Sequence, residues 1–143
     1  MKKIVLVALS LLLTSALVFG QEGKKSQKDA EKALSAFNLD QSKTEKLTEA
    51  IQANDEAIKD AEIAASADVW ITRGQIFNAA LIKEAVINQL EPGNSLDFAG
   101  LDVAAIKSVE SFGKALELAE KKFQTRDALA GLKEVQPYLT NRG

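Results

Sequence analysis

Carboxylates are the side chains in this sequence with the most potential for chemistry, because its 143 residues include no histidine and no cysteine. Without imidazole or thiol, the chain cannot form a Ser-His-Asp triad, a cysteine nucleophile or a zinc site built on those ligands. Glu56, Asp60 and Glu62 cluster on one predicted helix, but such a cluster on its own is typical of a solvated helix face. We therefore predict no catalytic residue, cofactor or metal site. An enzyme that uses two converging carboxylates is the least favoured alternative.

A second group of residues is spaced for packing one helix against another. Trp70, Gly74 and Phe77 follow in steps of four and three, which places a small residue between two aromatics on one helix face. The same steps further along the chain place an aromatic between two small residues, at Ser108, Phe112 and Ala115. A small residue lets a partner helix approach closely, and aromatics fill the space beside it. The spacing predicts that these two segments form an antiparallel helix pair.

These two patterns resemble the first and second helices of a tetratricopeptide repeat, most specifically over residues 67–118 and more loosely over residues 45–143. Two features depart from the family pattern. An insertion of about 22 residues replaces the usual tight turn between the helices, and Glu120 stands where the family usually has proline. The resemblance implies packing roles for the six residues of the two patterns. It also implies a fold of antiparallel helix pairs stacked as a short α-solenoid.

The resemblance also implies where a partner would bind. In such repeats, the first helices of successive pairs line a concave groove. By analogy, the candidate groove contacts on the helix of Trp70 are Ile71, Gln75, Asn78 and Ile82. A solvated or packed face is the alternative for these four residues. The flanking segments match only in part. Asn54 stands where an aromatic belongs, and Leu129 and Ala130 could open the next pair, but Arg126 and Lys133 replace its aromatics.

The elements that must position these residues are all predicted to be helical, because Ala, Leu, Glu, Lys and Gln dominate and no window alternates with a period of two. The predicted helices run from about Ser26 to Phe37, from the capping box Ser42–Glu45 to about Ala65, from Asp68 to about Leu90, from Asp102 through Glu120 to about Phe123, and from Thr125 or Asp127 to Pro137.

The N-terminus resembles a secretory signal. Lys2 and Lys3 precede an uncharged apolar run that ends near Gly20 and is too short for a typical membrane span. We predict cleavage near Gly20, a helical lead-in over residues 21–41 and the repeat-like region over residues 42–143. An uncleaved N-terminal anchor is the alternative for the apolar run. Loss of the two lysines changes the net charge from −2 to −4, which argues against a nucleic-acid partner.

These patterns together predict an exported, periplasmic or secreted scaffold that binds a protein or peptide. The predicted mature chain has no membrane span, and its oligomeric state is left open. We also expect it to be the N-terminal part of a longer repeat array, since repeat proteins need about three stacked units. The alternative is a self-contained periplasmic helical bundle with a structural or holdase-like role.

Overall fold

The computed structural model describes the backbone of residues 2–94, 96 and 100–140, and the side chains of these ranges from residue 20 onward. The described residues form six helices and no strand, so the predicted all-α fold class is confirmed. The helices are α1 (Lys2–Leu39), α2 (Glu45–Ala57), α3 (Ala61–Ala64), α4 (Ala67–Leu90), α5 (Leu101–Leu118) and α6 (Lys122–Thr140).

Two helix pairs account for most of the packing, α1 with α2 and α4 with α5. In the second pair, the Ser108 hydroxyl donates to the Gly74 carbonyl over 3.1 Å, and the Leu96 N–H donates to the Glu84 carboxylate over 2.7 Å. As positions advance along α4, their partners in the following segment move backward. The two helices are therefore antiparallel, which is the orientation predicted for the segments of Trp70 and Phe112.

Helix α6 runs parallel to α4. Gln124 donates to Asp68 over 2.8 Å, and Asn78 donates to Glu134, so both contacts join positions 56 apart in the chain. Helix α1 also contacts α4, where Gln27 donates to the Thr72 hydroxyl over 2.8 Å. Helix α4 thus contacts both α1 and α6.

The order of contacts follows the order of the chain. Helix α2 packs against α4, and α6 packs against both α4 and α5. Among the described residues, α1 and α2 make no substantial contact with α5 or α6. The core nevertheless runs through the whole stack, from Ala30 and Phe37 in α1 to Ala128 and Val135 in α6.

The second predicted helix was placed wrongly at both ends. Ser42 does not cap it, because the Ser42 hydroxyl and N–H both donate to the Asp40 carboxylate and lower the pKa of that carboxyl. The helix begins at Glu45 instead and stops at Ala57. Asp60 then caps the short helix α3 by accepting from the backbone N–H groups of Glu62 and Ile63.

Helix α4 spans nearly the predicted residues, and other helices differ from the prediction in their first residue or in the residue that caps them. Ser66 caps α4 by accepting from the Asp68 N–H, so Asp68 lies in the first turn and is not the cap. Helix α1 begins at Lys2, well before the predicted start at Ser26. Helix α5 begins after Gly100, so Asp102 is also a first-turn residue.

A further boundary error lies between α5 and α6. Helix α5 stops at Leu118 and does not continue through Glu120, because the Gln124 side chain accepts from the N–H groups of Glu120 and Lys121 and stabilises a turn there. Helix α6 starts at Lys122 and continues past Pro137 to Thr140. Pro137 has no backbone N–H, so the carbonyl one turn earlier in the helix loses its helical donor. Because Pro137 is exposed, water can reach that carbonyl instead.

Within the described part of the chain, no helix combines the length and the apolar character needed to cross a membrane.

Candidate functional site

The Phe112 ring joins three helices. A Cβ at Gly74 of α4 would lie 2.6 Å from the ring, and a Cβ at Gly131 of α6 would overlap it. Real Cβ atoms essentially never approach other atoms this closely, so both positions need glycine. Phe112 itself is fully buried, and Ser108 and Ala115 are buried beside it on α5. The structure therefore places Gly74, Ser108, Phe112 and Ala115 in one α4–α5 contact.

The two aromatics of α4 have different surroundings. Phe77 is buried, with the Arg73 guanidinium 5.1 Å and the Lys107 ammonium 5.0 Å from its ring centroid. Trp70 is only partly buried, and its indole N–H donates to the Ala64 carbonyl of α3 over 2.8 Å. Phe77 thus has a neighbour from α5, whereas the polar end of Trp70 is bound to the segment before α4.

The contact between α2 and α4 is polar at the place where an aromatic was expected. Asn54 is fully buried and donates to the Val69 carbonyl over 3.2 Å. Arg73 donates to the Asn54 carboxamide oxygen over 2.7 Å and to the Asp55 carboxylate over 2.6 Å. Only 13% of the Arg73 side chain is exposed. A hydrogen-bonded network therefore takes the place that an aromatic ring has in the next pair.

A groove of about 300 Å³ runs between α1, α4 and α6. Its floor and walls combine apolar side chains, carboxamides and one charge of each sign. The lining consists of Leu34, Phe37, Asn38, Gln41, Gln75, Asn78, Ala79, Ile82, Lys83 and Glu134. Nine of these residues are on α1, α4 or α6, and Gln41 lies in the turn after α1. Beyond the Gln27–Thr72 contact, later residues of both α1 and α4 line the groove, so these two helices run parallel, as α4 and α6 do.

Three of the four residues predicted to contact a partner line this groove, namely Gln75, Asn78 and Ile82. Ile82 is 39% exposed and is one of several large apolar residues that reach the surface. Ile71 does not line the groove, because it is buried in the core with 8% of its surface exposed. The prediction placed Ile71 by analogy alone, and the analogy did not account for the burial of Ile71 in the core.

Asn78 is the best-defined polar group of the groove. Its side-chain N–H group donates to the Glu134 carboxylate of α6. Its carboxamide oxygen is buried and has no hydrogen-bond partner among the residues that the structure describes. Since only 4% of Asn78 is exposed, this unpaired acceptor is an uncommon feature that calls for an explanation.

A larger cavity of about 690 Å³ lies where the C-terminal part of α6 meets α4 and α5. Its lining is mostly apolar and includes Leu81, Ala105, Ile106 and Leu139. Ile106 and Leu139 are each about half exposed. None of the predicted site residues lies there.

The carboxylates that cluster in the sequence have separate structural roles. Glu56 pairs with Lys59 over 2.6 Å, Glu62 with Lys24 over 3.5 Å, and Asp60 caps α3. Over the described residues, no group of three or more carboxylates is arranged to hold a metal ion.

Two residues that complete the site were missed by sequence reasoning. Gly131 occupies the close-approach position on α6, one residue after the predicted Ala130, and its signal was a glycine within a helical pattern. Glu134 fixes the orientation of the Asn78 side chain by accepting its hydrogen bond. In the sequence, the only indication of this role was the position of Glu134, three residues after Gly131. The Arg73 network had no signal, because it depends on how α2 lies on α4.

No protein-family model, no curated protein and no solved structure matches this chain.

Proposed function

We propose that this protein is an exported scaffold of tetratricopeptide-repeat type that binds a protein or peptide in the groove between α1, α4 and α6. Catalysis has no part in this proposal. The cationic start and apolar run of the N-terminus support export, and the test is whether protein recovered from outside the inner membrane begins near Gln21.

The groove is the observation that carries the proposal. Three parallel helices from successive parts of the chain each contribute side chains to it, as the first helices of stacked repeats do. Contacts restricted to neighbouring helices and the paired glycines around Phe112 support the stacked arrangement as well.

The groove is tested by replacing Ile82 with aspartate. We expect Ile82→Asp to weaken the binding of array peptides about tenfold or more, because a charge would have to be buried against the bound chain. Binding is measured by fluorescence titration of unrelated short peptides selected from an array. The matched control is Leu129→Asp on α6, which removes a large apolar residue of similar exposure outside the groove.

The opposite result for the two variants would place the binding surface outside the groove. If Leu129→Asp abolished binding and Ile82→Asp left it intact, the apolar face of α6 would be the binding surface, and the groove proposal would be wrong.

A self-contained bundle with a structural or holdase-like role is the second candidate. Several large apolar side chains are exposed on α5 and α6, including Val103, Ile106, Phe123, Leu129 and Leu139. Such surfaces can hold unfolded chains without a specific groove. This candidate predicts binding that depends on the total exposed apolar surface, so both aspartate variants would weaken it equally.

A further inference from the structure

We infer that cleavage after Gly20 creates an α-ammonium group at Gln21 that binds the Asp60 carboxylate, so that export adds an ion pair which the uncleaved chain lacks. This inference rests on the export that the proposed function includes, and it does not involve the groove.

Asp60 lies directly against the segment where cleavage is predicted. A Cβ at Gly23 would lie 2.6 Å from the Asp60 Oδ2 atom, and a Cβ at Gly20 would lie 4.0 Å from the same atom. The Gly20 position also lies 3.8 Å from the Oε2 atom of Glu62. Residues three apart share one face of a helix. The Asp60 carboxylate is therefore next to this face and close to the bond between Gly20 and Gln21.

One oxygen of Asp60 lacks a donor. The Oδ1 atom caps α3 by accepting from the N–H groups of Glu62 and Ile63. The Oδ2 atom is buried and has no hydrogen-bond partner among the residues that the structure describes. A buried acceptor without a donor destabilises the protein. A cationic donor at this place would remove that cost and form a charge-assisted hydrogen bond.

Cleavage supplies donors at this place. In the uncleaved chain, the N–H groups of residues 21–24 lie inside helix α1, which runs from Lys2 to Leu39. Without residues 1–20, this segment becomes a helix N-terminus, and its N–H groups lose their helical acceptors. The nitrogen of Gln21 also becomes an ammonium group. Since a helix N-terminus favours negative charge nearby, the unpaired carboxylate oxygen and the new donors are complementary.

The charges around Asp60 favour a cation. A surface depression between the first part of the described α1 side chains and the end of α2 has four carboxylates and two ammonium groups in its lining. Of the two lysines, Lys59 pairs with Glu56 over 2.6 Å. An added ammonium group would therefore reduce a net negative charge. The charged lining residues are Glu22, Lys25, Asp29, Glu56, Lys59 and Asp60.

The main experiment compares two forms of the chain that begins at Gln21. This chain retains the described hydrophobic core, which begins at Ala30. In one form the amine is free. In the other, the amine has attacked the carboxamide carbon of the Gln21 side chain and released ammonia, which leaves a neutral lactam and is verified by mass spectrometry. We expect the lactam form to unfold at a urea concentration about 0.5–1 M lower.

The second experiment assigns this effect to Asp60. Asparagine keeps a side-chain oxygen that can cap α3 but has no charge, so the two forms of Asp60→Asn should unfold at the same urea concentration. Near pH 7.5, the free amine of this variant should cyclise about threefold to tenfold faster than that of the wild type. The reason is that only the neutral amine attacks, and the ion pair keeps the amine protonated.

The pH dependence of cyclisation separates an ion pair from a looser helix end. Above about pH 10 the amine is neutral in both proteins, so their cyclisation rates should become equal. A helix end that Asp60→Asn had merely loosened would cyclise faster at every pH, and this result would overturn the inference.

Asp29→Asn is the matched control. It removes a carboxylate from the lining of the same depression, but Asp29 is exposed and is not among the nearest groups to Gly20 or Gly23. Its two forms should differ in stability as the wild-type forms do. If the difference disappeared in Asp29→Asn as well, the amine would respond only to the total negative charge, and the inference would be wrong.

The remaining outcomes separate this inference from the proposed function. Equal stability of the two wild-type forms would overturn the inference alone, and this comparison decides if Asp60→Asn does not fold. An exported chain that begins far from Gln21 would overturn the proposed cleavage, and this inference with it.

Discussion

At the scale of single residues, close packing of glycine against one aromatic ring determines how three helices meet. Gly74 and Gly131 lie against the Phe112 ring at distances that no side chain allows. Both glycines are inside helices, where glycine costs about 1 kcal/mol relative to alanine. The cost is offset by the burial of Phe112 and by the short distance between helix axes that results.

Replacing Gly131 by alanine should therefore destabilise the protein, although alanine is the better helix former. We expect a loss of about 1–3 kcal/mol in the free energy of unfolding, because the new methyl group overlaps the Phe112 ring. Urea unfolding followed by circular dichroism measures it. Gly113→Ala is the control, since Gly113 is also inside a helix but has nothing within 4 Å of its Cβ position. It should gain about 0.5–1 kcal/mol.

Equal effects of the two alanine substitutions would contradict this account. They would mean that helix propensity alone determines the result and that α6 does not approach Phe112 closely.

At the scale of elements, the two contacts made by successive helix pairs differ in chemistry. Helix α6 joins the α4–α5 pair through an aromatic ring between glycines, whereas α2 joins α4 through Arg73, Asn54 and Asp55. In the polar network, the stability contributed by each residue depends on the others. A buried polar group that loses its hydrogen-bond partner still carries the cost of its removal from water.

Arg73→Met should test this dependence. Methionine keeps much of the apolar stem but leaves the oxygen of the buried Asn54 without its donor, so we expect a loss of about 1–3 kcal/mol in stability. The matched control is Arg126→Met, in which an exposed arginine loses its pairing with the adjacent Asp127. The control should change stability by no more than about 0.5 kcal/mol. If Arg73→Met lost as little stability as the Arg126→Met control, the network would contribute nothing to stability.

At the scale of the whole molecule, contacts follow the chain order, and the first pair makes no substantial contact with α5 or α6 within the described residues. This order is what the proposed solenoid requires, whereas a compact bundle brings distant helices together around one centre. The difference can be measured in solution without knowledge of a partner.

Small-angle scattering of the chain without residues 1–20 should therefore show an elongated particle. We expect a radius of gyration above the roughly 14 Å of a compact chain of that length, with a pair-distance distribution skewed to long distances. A symmetric distribution with a radius near that value would favour the self-contained bundle. Measurement over a range of concentrations controls for self-association.

The sequence by itself determined the fold class, because composition and three- and four-residue spacing depend only on local helix geometry. It also indicated the antiparallel contact of α4 with α5, since the small and aromatic positions are complementary in each segment. The residues that cap the helices were harder to predict from the sequence. Asp40, Ser42 and Ser66 all offer side-chain oxygens, and their final partners depend on how each turn is closed.

Only the tertiary structure decided the contents of the groove and of the polar network. Ile71 and Asn78 are both on α4 and look equivalent by helical position, yet the first is buried in the hydrophobic core and α6 supplies a hydrogen-bond partner to the second. Arg73 likewise finds Asn54 only once α2 lies on α4. The physical reason is that burial and hydrogen-bond partners are properties of helix pairs, and the relative placement of two helices depends on every side chain between them.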